Sequence, residues 1–193
     1  DPRLVYGALG QVWMQIAEAR HDRVALGKAL EALGRAIAET GATSEVLALR
    51  GRALLLDGQV DAAEHALQQA IARAPLDPAA LLWCAAASER LNHFDSARQA
   101  LARYGALVPD DRERVAHVVK IASLSMKLND PQTAIDWLSR ALAGSGGDAR
   151  LFASLAEAQL RAGDRDAALN SVARGLGIDA RNPTLVMLSR RLK

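Results

Sequence analysis

The sequence repeats with a period of 34 residues, and that period limits what it can fold into more than any single residue does. Frames begin at Gly10, Ser44, Pro78, Val115 and Ala149, evenly spaced except for three extra residues, Arg112 to Arg114, before the fourth. Each frame holds two amphipathic helical stretches around a short turn, a unit too small to bury its own apolar face. Such units are stable only when stacked, so the period predicts an all-α array of antiparallel helical hairpins.

Superposing the frames exposes a packing code. The eighth place is small in every frame: Ala17, Gly51, Ala85, Ala122 and Ala156. The twentieth is always alanine: Ala29, Ala63, Ala97, Ala134 and Ala168. These two columns are predicted to lie where the helices of a hairpin cross most closely. Large apolar columns fill the remaining space: Trp13, Leu47, Leu81, Val118 and Phe152 at the fourth place, Leu33, Leu67, Leu101, Leu138 and Val172 at the twenty-fourth. The twenty-seventh is small except at Tyr104, whose ring predicts a splayed third hairpin.

The turns are legible too. Gly58 and Gly163 suit the left-handed conformation that ends a helix, and Asp77-Pro78, Asp130-Pro131, Asn182-Pro183 and Asp1-Pro2 read as cap followed by first helical residue. Val24 stands where glycine is expected in the first frame, so that turn is predicted to run through His21-Asp22-Arg23. Residues 2–20 read as one long opening helix, weakened by Gly7 and Gly10 at about 1 kcal/mol each. Residues 184–193 read as a closing helix that turns Leu185, Leu188 and Leu192 toward the array.

Period, small columns, bulky columns and the prolines Pro75 and Pro109 near frame ends together resemble the tetratricopeptide repeat family. The resemblance implies a right-handed superhelical solenoid with repeats at 10–43, 44–77, 78–111, 115–148 and 149–182. An N-terminal helical extension at 2–9 and a capping helix at 184–193 complete a single array over 1–193.

Little in the sequence suggests chemistry. Cys84 is the only cysteine, so there is no intramolecular disulfide and no cysteine cluster for a metal, and its place in the frame predicts a small buried hydrophobe. The four histidines, His21, His65, His93 and His117, fall at unrelated places, although Asp61 and His65 are spaced for a weak ion pair. Gly144-Ser145-Gly146-Gly147 lacks the Gly-Lys-Ser/Thr ending of a phosphate loop and reads as a linker. The charges from Asp110 to Arg114 read as a solvated helix start. No catalytic residue, metal site or cofactor is expected, and no apolar run approaches the roughly 18 residues that cross a bilayer. The 24 basic and 22 acidic residues nearly balance, which argues against wholesale phosphate binding. Only four of the 24 are lysine, a bias associated with GC-rich bacterial genomes.

The resemblance also implies where a partner binds, since the family turns the second, fifth, ninth, twelfth and thirteenth places of each first helix toward a concave groove. Carried onto this chain, the fifth place gives an apolar stripe of Met14, Ala48, Leu82, Val119 and Ala153, and the twelfth adds Leu55, Met126 and Leu160. Charges flank it: Glu18, Glu45, Arg52, Glu89 and Arg90 in the first three frames, Lys127, Arg150, Glu157 and Arg161 in the last two. The lysine and asparagine with which chaperone-binding members hold a C-terminal carboxylate are replaced by Met14, Glu18 and Leu49, so that clamp is absent. The expected occupant is therefore an amphipathic helix or an extended apolar segment of a protein partner.

The implied function is a non-catalytic scaffold in a bacterial multiprotein assembly, with a periplasmic or envelope setting favoured over the cytoplasm. Two alternatives are a regulatory or structural arm of a larger enzyme and single-stranded RNA binding. RNA binding calls for an aromatic, basic groove that the sequence lacks. Self-association through the end caps is a further alternative.

Overall fold

A computed structural model describes residues 5–108, 113–145 and 147–192, with the side chains of Thr40 and Ser145 excepted. It contains α-helices joined by short turns, and no strand occurs among the described residues. The chain falls into two compact units, Asp1–Leu107 and Val108–Lys193.

The first unit holds three hairpins: α1 (Val5–Arg20) with α2 (Arg23–Thr40), α3 (Ser44–Asp57) with α4 (Val60–Ile71), and α5 (Pro78–Arg90) with α6 (Phe94–Leu107). The second holds α7 (Arg114–Lys127) with α8 (Pro131–Ser145), α9 (Ala149–Ala162) with α10 (Arg165–Ile178), and the closing helix α11 (Pro183–Leu192). Asp1-Pro2 and most of the Asp110–Arg114 cluster lie outside the described residues; Arg114 opens α7. The Gly144–Gly147 linker is shorter than expected, because Gly144 and Ser145 complete the last turn of α8.

The packing code holds at every described position of the small columns. All five alanines of the twentieth place have no exposed surface, and every residue of the eighth is buried. The reason is direct steric contact. A Cβ added at Gly51 would fall 2.3 Å from Cγ of Leu67, and one at Gly10 2.7 Å from Leu33. Real carbon atoms do not approach so closely, so these glycines set the depth to which the second helix can sink. At the twenty-seventh place Tyr104 is half-buried, on the helix that ends the first unit. Trp13, assigned to a bulky core column, is half-buried with the ammonium of Lys28 4.4 Å from its ring centroid.

The turns follow the sequence signals. Gly58 and Gly163 adopt φ of +85° and +88°, and Asn92 and Asn129 reach +62° and +57° at the equivalent places of the third and fourth hairpins. Asparagine tolerates this region better than most residues with a Cβ. In the first hairpin the turn comes three residues early. His21 takes φ +52°, Asp22 accepts hydrogen bonds from the Val24 and Ala25 amides, and Val24 is left inside α2, 69% exposed. The carboxylates of Asp77 and Asp130 and the amide oxygen of Asn182 cap α5, α8 and α11 in the same way. Leu185, Leu188 and Leu192 of α11 are buried as expected. Arg190 occupies the place that is small in all five frames, and it is exposed.

Some buried polar groups join one hairpin to the next. Ser44 donates to the Ala70 carbonyl at 2.9 Å and accepts from the Asp77 amide at 3.0 Å, tying the start of α3 to the α4–α5 connection. In each unit the first helices touch in succession, α1 to α3 to α5 and α7 to α9 to α11. The second helices of a unit do not touch one another. Each unit therefore curves with its first helices on the inner side.

Candidate functional site

Packing decides the fate of the expected apolar stripe. Met14, Ala48, Leu55 and Ala153 are buried, at 2%, 3%, 8% and 6% exposure, rather than open to a partner. Met14 packs with Ala17, Leu26, Leu33 and Ala53, and Ala48 with Leu47, Ala70 and Ala80. These clusters draw on first and second helices alike, so the buried residues of the stripe belong to the core. This corrects the sequence reading, in which other columns alone supplied the core. What remains accessible of the stripe is Leu82 in the first unit and Val119, Met126 and Leu160 in the second, all half-buried.

In the first unit the flanking charges are organised across three helices. Glu18 of α1 pairs with Arg52 of α3 at 2.5 Å, and the Arg52 guanidinium lies 4.5 Å from the ring centroid of Trp83 on α5. A guanidinium in this position gains from the ring's negative face while keeping its carboxylate partner. Trp83 is thus half-buried, with its ring against the Arg52 guanidinium. Arg90 donates to the Leu55 carbonyl at 3.0 Å, satisfying the end of α3 from the next hairpin. Glu89 is half-buried and Glu45 exposed on the same helices. The turn between α1 and α2 adds a recess of about 330 Å³ bounded by Glu18, His21, Arg23 and Leu56.

In the second unit four of the predicted residues line one cleft, while Met126, Lys127, Leu160 and Arg161 lie outside it. Val119 of α7 and Arg150, Ala153 and Glu157 of α9 line a cavity of about 380 Å³, completed by Ala116, Ser154, Asn182 and Thr184. The last four carry no distinctive chemistry, and only their register could have flagged them. Arg150 is held by Asp148, which caps α9 through the Arg150 amide at 2.8 Å and accepts from the guanidinium at 2.8 and 3.2 Å. That guanidinium holds the Asp148 carboxyl below its usual range. Glu157 is different: it forms no side-chain hydrogen bond or ion pair among the described residues, and loss of surrounding water pushes its carboxyl up. Lys127 and Arg161 are exposed at the ends of α7 and α9.

One polar cluster was not legible in the sequence. Glu64 on α4, 7% exposed, accepts a 2.6 Å hydrogen bond from the Ser88 hydroxyl on α5. Nδ1 of His93, in the α5–α6 turn, lies 2.9 Å from its other oxygen. The hydroxyl binds the carboxylate rather than the imidazole and is fully buried, so this is not a nucleophile with its base. It locks the second hairpin to the third. His65 meets Gln69 at 2.9 Å, a contact different from the Asp61 pair that its spacing suggested. Cys84 is buried, and burial raises its thiol pKa. Among the described residues no group of histidine, cysteine and carboxylate side chains is placed to hold a metal ion, and no helix is long and apolar enough to cross a membrane.

Residues 54–120 match the family model for the tetratricopeptide repeat. Among curated proteins none matches the sequence. Similar solved structures include YrrB, described as a TPR protein with an unusual peptide-binding site, at 13% identity and TM-score 0.75 over 96% of this chain and 90% of that one. MamA of AMB-1 aligns at 17% identity and TM-score 0.71 over 97% of each chain. PilF of Pseudomonas aeruginosa aligns at 16% identity and TM-score 0.62 over 98% of this chain and 82% of its own. At these identities the likeness is one of fold. About five repeats and a capping helix account for the helices α1 to α11.

Proposed function

We propose that this chain, which belongs to the tetratricopeptide-repeat family, is a non-catalytic scaffold that holds a segment of a partner protein against its first helices. Repeats of this family generally serve protein–protein interaction. The observation that carries the finer reading is the convergence of Val119, Ala153, Arg150 and Glu157 on one cleft, since places chosen by register alone meet there around an open space. In the first unit, Leu82 and Trp83 offer apolar and aromatic surface beside the Glu18–Arg52 pair. Half-buried apolar residues rimmed by charges of both signs suit an amphipathic helix or an extended apolar segment. A bacterial assembly is the setting we favour, on the arginine-rich composition of the sequence.

Affinity capture from bacterial lysate tests this with one variant in each unit. Leu82→Glu and Val119→Glu, each shown to be folded by circular dichroism, are expected to lose a protein that the wild type retains. Equal capture by wild type and both variants would place the binding site away from the first helices.

A further inference from the structure

The charges around the cleft of the second unit are unequal in a way that specifies what enters it. Two ionisable side chains line it, Arg150 and Glu157. Arg150 is already neutralised, its guanidinium spanning both oxygens of Asp148. Glu157 has no such partner among the described residues, and Arg161, one turn further along α9, does not pair with it. The other walls carry no charge: α7 contributes Ala116 and Val119, and the start of α11 contributes Asn182 and Thr184. The cleft therefore presents one uncompensated negative charge beside the alkyl surface of Val119 and Ala116.

Glu157 is exposed at the cleft, so its unpaired carboxylate is open to a cation carried by the bound segment. The side chains that combine an alkyl stem with a terminal cation are lysine and arginine, which lay their methylenes along apolar surface and present the charge at the far end. Resting on the scaffold reading above, we infer that the cleft between α7, α9 and α11 is a subsite for a lysine or arginine side chain of the bound segment. Its stem packs on Val119 and Ala116 and its cation pairs with Glu157, while Asn182 and Thr184 offer oxygens for the remaining donors. The polarity is opposite to that of a groove that captures a carboxylate.

The probe is a random heptapeptide phage library panned on the full chain, on Glu157→Gln and on Val119→Lys, whose ammonium would fill the subsite and repel a basic side chain. Wild-type selection is expected to enrich lysine or arginine at one position, and Glu157→Gln to select peptides without that enrichment. A selected peptide, resynthesised with norleucine at the basic position, should bind the wild type about tenfold more weakly and the Gln variant unchanged, with a wild-type preference that shrinks as salt is raised. Peptides lost by Val119→Lys but showing no basic preference, or the same preference on Glu157→Gln, would overturn the subsite and leave the scaffold reading standing. Peptides that bind Val119→Lys as well as wild type, or no selected peptide at all, would overturn both.

Stability supplies an independent readout. Because the folded-state pKa of Glu157 is raised, its contribution is fully present below the ordinary value of 4.5 and is lost as pH rises through the folded value. Glu157→Gln should therefore be at least as stable as wild type at pH 7, with that advantage disappearing toward pH 4. A loss of stability at pH 7 would mean that Glu157 serves the fold rather than a ligand.

Discussion

Replacing Leu67 by alanine is expected to destabilise the chain by about 3 kcal/mol, and replacing Gly51 by alanine in the same protein to recover part of that loss. Leu67 has no exposed surface and lies against the glycine at the eighth place of the second hairpin. Its truncation leaves a cavity that the surrounding helices close only in part. Alone, Gly51→Ala drives a methyl into Leu67, at about 1–3 kcal/mol. The gain of about 1 kcal/mol in helix propensity offsets some of that cost. In the double variant the methyl at 51 occupies space that Leu67 vacated, so the two costs are less than additive. Ala17 with Leu33, Ala85 with Leu101 and Ala122 with Leu138 occupy the same paired places in other hairpins, so at the eighth place glycine stands only opposite Leu67. Urea denaturation of the four proteins measures the coupling. Strict additivity would show that Gly51 and Leu67 do not limit the crossing.

A second large effect is expected at the Glu64 cluster. Ser88→Ala removes the 2.6 Å hydrogen bond to a buried carboxylate and should cost about 2 kcal/mol, in the range for bonds to charged groups. Leaving one partner unmade is worse than removing both, so Ser88→Ala combined with Glu64→Met should cost less than Ser88→Ala alone. His93 is mostly exposed and can turn to water once the carboxylate is gone. If the double variant is the less stable of the two, the carboxylate stabilises the joint by itself and the cluster is more than a satisfied burial.

Both effects bear on what the sequence conveys. The close crossings were readable because a fixed period repeats the same steric requirement: Ala29, Ala63, Ala97, Ala134 and Ala168 identify one another. Turns were readable for a local reason, since Gly58, Gly163 and the Asp22 cap announce their own backbone geometry, and the absence of glycine at Val24 moved the first turn to where it lies.

Features that depend on one hairpin meeting the next were not readable. Glu64, Ser88 and His93 sit in two frames at unrelated places, and no periodicity connects them. Met14, Ala48, Leu55 and Ala153 occupy groove-facing places, yet they belong to the core. Arg52 on Trp83 arises from the contact of α3 with α5. The cleft of the second unit was half legible: register picked out Val119, Arg150, Ala153 and Glu157 but not that Arg150 is neutralised and Glu157 is not.

The central claim, that a partner lies against the first helices, is tested most directly by hydroxyl-radical footprinting of the full chain with and without the segment recovered by capture. The account predicts that Leu82, Trp83, Met126 and Leu160, on α3's neighbour α5 and on α7 and α9, become protected. Val24 on α2 and Leu169 on α10, both exposed in the free chain, should react as before. Protection of Val24 and Leu169 with Leu82 and Met126 unchanged would contradict it and move the binding surface to the second helices.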